Sequence, residues 1–560
     1  MPPANRRSFL KWAGIAPAAA GAGNAGGPPL QSVAAAGEIP PAAADFNVRH
    51  FGARGDGNTL DTAAINRAIA AAARAGGGRV LFPAGNYLSF SIHLASRVTL
   101  YLGDGAALIA AQPPASPGAS GGYDHPEPNP AAGYFEDFGH RHWHNSLIWG
   151  DGLHDVAILG PGLIWGRGLS KGYGPGPNQK QPGVADKSIA LKNCHNVLLR
   201  DFSILQAGHF GILATGVDNL TIDNLLIDTN RDGMDIDCCR NVRIVNTSVN
   251  SPWDDAIVLK SSYALGYARP TEFVTIANCF VGGGYQLGTL LDGSYQLFPP
   301  GGRRPHTGRI KFGTESTGGF KNIVINNCVF ERCQGLALET VDGAHLEDVA
   351  ISNLSLRHVS SAPIYLRLGK RMRVPGGNPA FASAKSSGGV ASNAPFGPYP
   401  IGVFRRVVIS NLVCNGADPR LCSILSGIPG HPLEDVRLND ILIEHAADPV
   451  AADRRASPPE RQRAYPGPGS TGPMPAHAFF IRHARGLSLS NIDVRARGDE
   501  KRPACVLQDV RDASFFHVRF RPAAPAFVLR DIERFQLEQS WPLPDTRLLR
   551  ASAHSIPGAE

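Results

Sequence analysis

"HNVLLRDFSI" at 195–204, "DNLTIDNLLI" at 218–227 and "RNVRIVNTSV" at 240–249 are three copies of one phrase: a polar corner with Asn, then apolar residues at every second position, then Asn or Asp again. The alternation is that of a half-buried strand. Asn196, Asn219 and Asn241 open copies 23 and 22 residues apart. The phrase returns as "EFVTIANCFV", "KNIVINNCVF", "EDVAISNLSL", "RRVVISNLVC", "EDVRLNDILI" and "GLSLSNIDVR". Leucine-rich repeats share the period but require L-x-x-L-x-L-x-x-N, which is absent. A coil of this length cannot bury its own inward face, so coils must stack about 4.8 Å apart. The repeat predicts an all-β, right-handed parallel β-helix, in which residues one period apart in sequence become neighbours in space.

Around this core, "DTAAINRAIAAAARAGGG" predicts a helix from about Thr62 to Ala75 that caps the open first coil, whose edge would otherwise invite aggregation. Residues 110–145, 281–308, 370–400 and 448–475 read as Pro/Gly-rich insertions, too long for simple turns, and insertions gathered on one face of a solenoid wall a groove. The organisation expected is a leader at 1–36, a linker at 37–44, one β-helix domain at 45–545 and a tail at 546–560.

Composition agrees. The chain has 560 residues, 43% of them hydrophobic and 18% charged, which suits a large buried core, and 64 Gly and 45 Pro suit turn-dense β structure. Net charge is +7, yet no basic run with interleaved aromatics points to nucleic acid, and no apolar stretch outside the leader is long enough to span a membrane. The leader, "NRRSFLKWAGIAPAAAGAG" followed by "SVAAAGE", resembles a twin-arginine export signal cleaved near Ala36. It implies export-machinery partners and a periplasmic or secreted product. The nine cysteines form no C-x-x-C pair and read as small buried hydrophobes, with pairing of Cys328 to Cys333 or Cys414 to Cys422 left open.

Chemistry concentrates in "NRDGMDIDCC" at 230–239 and "WDDAI" at 253–257. Asp232 and Asp254 are 22 residues apart, one coil, so with Asp255 they form a carboxylate cluster. Adjacent strand residues point to opposite faces, so a strand end or bulge is expected at "PWDDA". Crowded carboxylates cannot all ionise freely, which leaves an acid beside a base. That arrangement suits glycosidic hydrolysis. A calcium loop fits poorly, because the Gly of D-G-M-D-I-D stands second and no Glu follows at position twelve. No cofactor or metal is expected.

"NRDGMDI", then "WDDAIVLKSS", then "FGTESTGGFKNI", resemble the polygalacturonase family, glycoside hydrolase family 28, in order and spacing. The resemblance covers most of residues 45–540, including "FNVRHFGARGDG", and is nearest to bacterial, exo-acting or rhamnogalacturonan-type members. It implies inverting hydrolysis of a pectic poly- or oligosaccharide, with Asp254 as general acid, Asp232 and Asp255 holding and deprotonating water, and Asp235 supporting the cluster or touching sugar. Glu315, in G-T-E-S-T-G-G, stands where endo-acting members have histidine and implies chain-end action. The family's R-I-K should follow this element. At the matching place "GLALETVDG" offers Ala337 and Glu339, while the "RIK" of Arg309–Lys311 precedes the element and is set aside as coincidence. On this reading a basic clamp is missing, Glu339 faces the sugar and disfavours a uronate, Arg367 supplies the lost cation, and Lys260 also meets substrate. The alternative is that Glu339 turns inward against Lys260 or another cation. Two other functions remain possible at this level: a polysaccharide lyase, which needs calcium and a basic residue for proton abstraction, and a non-catalytic glycan-binding solenoid, which has no use for a crowded acid cluster.

Overall fold

The computed structural model describes residues 45–113, 122–128, 140–172, 181–299, 306–372, 400–445, 456–498, 500–521 and 525–558. The leader and linker, much of the insertions expected at 110–145 and 370–400, and the first residues of the one expected at 448–475 lie outside these residues. From Ala43 onward the chain is one compact unit. Among the described residues it is a right-handed parallel β-helix of 34 strands, all but the last paired in parallel with a strand of a neighbouring coil. The 22-residue period is realised as register: Phe210 lies beside Asp232, Asp235 beside Val258, and Val258 beside Lys311.

Inward positions stack like on like. Ile189, Ile212, Met234, Ile257 and Ile310 are consecutive register partners, all fully buried, which gives each coil close packing only when its neighbours are present. The corners are polar ladders. Asn219 Nδ2 donates to Asn196 Oδ1 at 2.9 Å and Asn241 Nδ2 to Asn219 Oδ1 at 3.2 Å, with φ of 55° and 56° at Asn219 and Asn241. Asn tolerates this left-handed conformation better than most residues, which is why the phrase begins with it.

The expected cap is present as the helix Thr62–Arg74. Its buried face is Ala64, Ile65, Ala68, Ile69 and Ala72, the i, i+3, i+4 spacing of an amphipathic helix. At the other end the structure corrects the expected tail: Thr546–Ile556 is a strand, antiparallel to Phe527–Glu538, that covers the edge of the last coil. All nine cysteines are free and buried, so neither open pairing forms. Among the described residues no helix is long and apolar enough to cross a membrane.

Candidate active site

Asp232 begins the strand Asp232–Asp237, while Asp254 and Asp255 sit in the turn between Ser248–Asn250 and Ile257–Ser261, the strand end that two adjacent carboxylates require. The three aspartates bring one carboxylate oxygen each to within 4.8 Å of one another. Gly233 makes that approach possible. A Cβ there would lie 2.4 Å from the carbonyl oxygen of Ala256 and 2.5 Å from Val249 Cγ1, so a side chain would push the coil carrying Asp255 away from Asp232.

The three surroundings differ. Burial, then the charges of Asp254 and Asp235, push the Asp232 carboxyl well above the usual carboxylate range. Burial also opposes the charge of Asp255, but Arg309 and Lys311 outweigh it and hold that group down at about 2. Arg309 Nε donates to Asp255 Oδ1 at 2.6 Å and Lys311 Nζ lies 3.2 Å from Oδ2. Asp254 is the most exposed of the three and accepts from Arg231 Nε and Nη2 at 3.0 and 2.6 Å. The cluster therefore holds two neighbouring carboxyls tuned in opposite directions, one raised and one held down.

The Arg309 and Lys311 contacts overturn the dismissal of "RIK". The insertion before it lengthens the turn from Lys260 to Arg309, yet Lys311 still stacks directly on Val258, so the basic pair reaches Asp255 from a place ahead of Glu315 rather than after it. Glu339, expected to take its position opposite the sugar, is fully buried, with Oε2 3.9 Å from Lys311 Nζ; burial raises its carboxyl above the ordinary range. It faces a cation, Lys311 rather than Lys260, but from the outer face of its coil: Leu336 and Leu338 of the same strand are the ones that point into the core. Arg367, the substitute cation, is committed elsewhere: it is the register partner of Glu339 and donates to Ser426 Oγ, Gly427 O and Glu460 O.

The other expected site residues form a buried chain of charges beside the cluster. Asp235, fully buried, accepts from His140 Nε2 at 2.7 Å and lies 3.8 Å from Lys260 Nζ, which donates to Glu315 Oε2 at 2.8 Å. The Arg371 guanidinium lies 3.7 Å from Glu315 and 2.6 Å from Asp342. Burial lowers the His140 imidazole, but Asp235 and Glu315 outweigh it and raise its pKa. His209, stacked on Phe210 with ring centroids 4.0 Å apart, has Nε2 3.8 Å from Asp232; burial drives its pKa well down and keeps it neutral. Neither histidine was legible beforehand: His140 lies 95 residues upstream of its partner, and His209 carries no motif. Arg231 was visible only as the variable residue of N-x-D-G.

Comparison with known proteins follows this geometry. The family described as Glycosyl hydrolases family 28 matches residues 133–294, and the family described as Rhamnogalacturonase A/epimerase, pectate lyase-like, matches residues 46–121. A probable polygalacturonase of Vitis vinifera is 23% identical over 415 residues, 71% of this chain and 74% of the relative. An exo-poly-alpha-D-galacturonosidase of Dickeya chrysanthemi is 23% identical over 273 residues, 40% of this chain and 43% of the relative. The crystal structure of an exopolygalacturonase from Thermotoga maritima superposes with a TM-score of 0.53 at 18% identity, covering 92% of this chain and 94% of that one, and so shares the fold. The family match and the two relatives support a glycoside hydrolase of family 28 built on a right-handed parallel β-helix.

Proposed function

We propose that the protein is an inverting glycoside hydrolase that cleaves pectic poly- or oligosaccharide, acting from a chain end. The observation that carries this reading is the opposite tuning of neighbouring carboxyls: Asp232 raised by burial and by Asp254, Asp255 held down at about 2 by Arg309 and Lys311. A group that keeps its proton suits protonation of the leaving oxygen, and one that stays ionised suits activation of water. We assign the acid to Asp232, whose carboxyl is raised by burial and the charge of Asp254 and has an oxygen within 4.8 Å of one of Asp254, and the base to Asp255. This modifies the role the family resemblance gives Asp254, because Arg231 occupies one of its oxygens in the free site.

Exo action draws support from Glu315 and from the 283–299 insertion, which packs Phe298 against Trp253, the neighbour of Asp254, at 5.9 Å between ring centroids. The leader supports twin-arginine export to the periplasm or medium, and changing Arg6 and Arg7 together to Lys should leave precursor in the cytoplasm.

The deciding experiment incubates purified protein with homogalacturonan, rhamnogalacturonan and their oligomers and identifies the sugars released. Sugar monomers or dimers are expected, and a product absorbing as an unsaturated uronate would instead mean lyase chemistry. Asp255→Asn and Asp254→Asn should each lower kcat by about a hundredfold or more with the melting temperature retained. Inverting pairs usually stand about 6.5–9.5 Å apart, more than the closest oxygens here, so the anomeric configuration of the first product by proton NMR is the sharper test of inversion.

A further inference from the structure

Asp186, His209 and Asp232 come from three successive coils, 23 residues apart at each step. Asp186 and His209 directly precede the strands Lys187–Lys192 and Phe210–Thr215, and Lys187, Phe210 and Asp232 are register partners. The backbone sets the approach. His209 N and Phe210 N both donate to Asp186 O, at 2.8 and 3.2 Å, and a Cβ at Gly208 would lie 2.8 Å from that same oxygen. A side chain at Gly208 would therefore lift His209 off the coil before it. The imidazole is 1% exposed and lies flat on Phe210. Its Nδ1 is 3.9 Å from Asp186 Oδ2 and its Nε2 is 3.8 Å from Asp232 Oδ2.

The two oxygens of Asp186 do different things. Oδ1 accepts from Lys187 Nζ and from Asn145 Nδ2, the latter at 3.3 Å, and Lys187 Nζ also donates to Asn145 Oδ1 at 3.2 Å. All three residues are buried. Oδ2 faces the imidazole, and a carboxylate in an ion pair with lysine only accepts. The single proton of a neutral ring beside it belongs on Nδ1, which turns the lone pair of Nε2 toward Asp232. Burial, then the positive charges of Arg231, His140, Lys187 and Lys260, keep the ring neutral.

We propose that His209, its tautomer set by Asp186, is a positioning residue that keeps the acid proton on Asp232 by presenting the Nε2 lone pair to that carboxyl. The proposal rests on the reading of Asp232 as the acid and deepens it. At 3.8 Å the lone pair, the negative end of the ring dipole, already opposes a charge on Asp232. It becomes the acceptor for the Asp232 O–H when the contact tightens, as catalytic hydrogen bonds do once substrate is bound. Asp254 and Asp235 act on Asp232 in the same direction, Arg231 and Lys260 oppose them, and Asp255 completes the cluster. These five groups come from the strand of Asp232 and from the chain after it. His209 acts from the preceding coil, and its effect depends on where one proton sits.

Asp186→Asn separates this role from packing. Lys187 and Asn145 both donate at Oδ1, so the amide oxygen goes there and the amide N–H turns to Nδ1. The ring proton then moves to Nε2, which donates to the Asp232 carboxylate and stabilises it while the imidazole stays in place. His209→Phe removes the acceptor and keeps a ring to stack on Phe210. Thermal melting checks that each variant is folded, and His209→Phe decides alone if Asp186→Asn is not. The basic limb of kcat against pH should move down by about one unit in both, a loss of about tenfold in turnover at a fixed pH above it. Nitrogen NMR of histidine-labelled protein, with His209 assigned by the signal lost in His209→Phe, should show the proton on Nδ1 in wild type and on Nε2 in Asp186→Asn. A basic limb that either folded variant leaves in place, or a wild-type ring protonated on Nε2, overturns the proposal. If no glycan is cleaved, the hydrolase reading fails, and the infrared band of the protonated Asp232 carboxyl, identified by its loss in Asp232→Asn, still decides the role of His209. Disappearance of that band at lower pH in His209→Phe supports it, and disappearance at the wild-type pH overturns it.

Discussion

Asp255 keeps its charge in a buried site because the next coil delivers two cations to it, Arg309 at 2.6 Å and Lys311 at 3.2 Å. Its carboxyl is depressed to about 2, so the ionised base persists across the ordinary acid range and is lost only as pH falls through that low value. Lys311→Met removes one of the two compensating charges. The Asp255 pKa then rises, and the acid limb of kcat/KM against pH moves upward. Each unit of rise removes about tenfold of the ionised base at a fixed pH below the new value. An acid limb unchanged in this variant would show that Asp255 is not the base. The aspartates themselves were legible because their 22-residue separation equals one coil. Lys311 was not, because motif order along the chain is a poor guide once an insertion of more than twenty residues enters one turn; the coil register that places it on Val258 appears only in three dimensions. Glu339 was misplaced for the same reason.

The segment Pro458–Glu460 shows the same physics in a single loop. Arg482 donates to the carbonyls of Pro458 and Pro459, Arg367 to that of Glu460, and His483 bridges Glu460 Oε1 at 3.0 Å and Asp509 Oδ2 at 2.8 Å. These contacts dock the insertion that carries Tyr465 onto the coils. Burial lowers the His483 imidazole, but the two carboxylates outweigh it and raise its pKa; the nearby Arg482 guanidinium lies 3.4 Å from Glu460. With the folded value above the unfolded one of about 6.5, this latch contributes fully below that pH and fades as pH rises through the folded value. His483→Gln should therefore lower the melting temperature at pH 6 and leave it nearly unchanged at pH 9, with faster proteolysis near Pro458 at the lower pH. An equal loss at both values would mean that the ring acts by packing rather than by charge. The existence of this insertion was readable from its proline and glycine content. Its docking was not, since Arg367, Arg482 and His483 belong to strands whose alternation marks them only as polar positions.

Across the whole molecule, stability passes from coil to coil, because each buries its core face against its neighbours alone. The two ends are where that scheme is incomplete, and the chain closes them by different means. At the start, the helix Thr62–Arg74 lays an alanine- and isoleucine-rich face on the first strands. At the finish, Thr546–Ile556 reverses direction and pairs with Phe527–Glu538, whose Phe527 meets Phe515 of the preceding coil edge to face at 5.0 Å between centroids and whose Phe535 meets it tilted at 5.6 Å. This last strand is mostly exposed, so its worth lies less in buried area than in occupying the backbone groups of an edge that would otherwise pair with another copy. Removing residues 546–560 should therefore leave the aspartate cluster and its turnover per molecule intact, since many coils separate the two. It should also make the protein associate: light scattering rising with concentration, and elution ahead of the monomer position. A truncated protein that stays monomeric at high concentration would show that the last parallel coil protects its own edge, and one that loses activity as a monomer would show that coupling along this solenoid reaches much further than nearest neighbours.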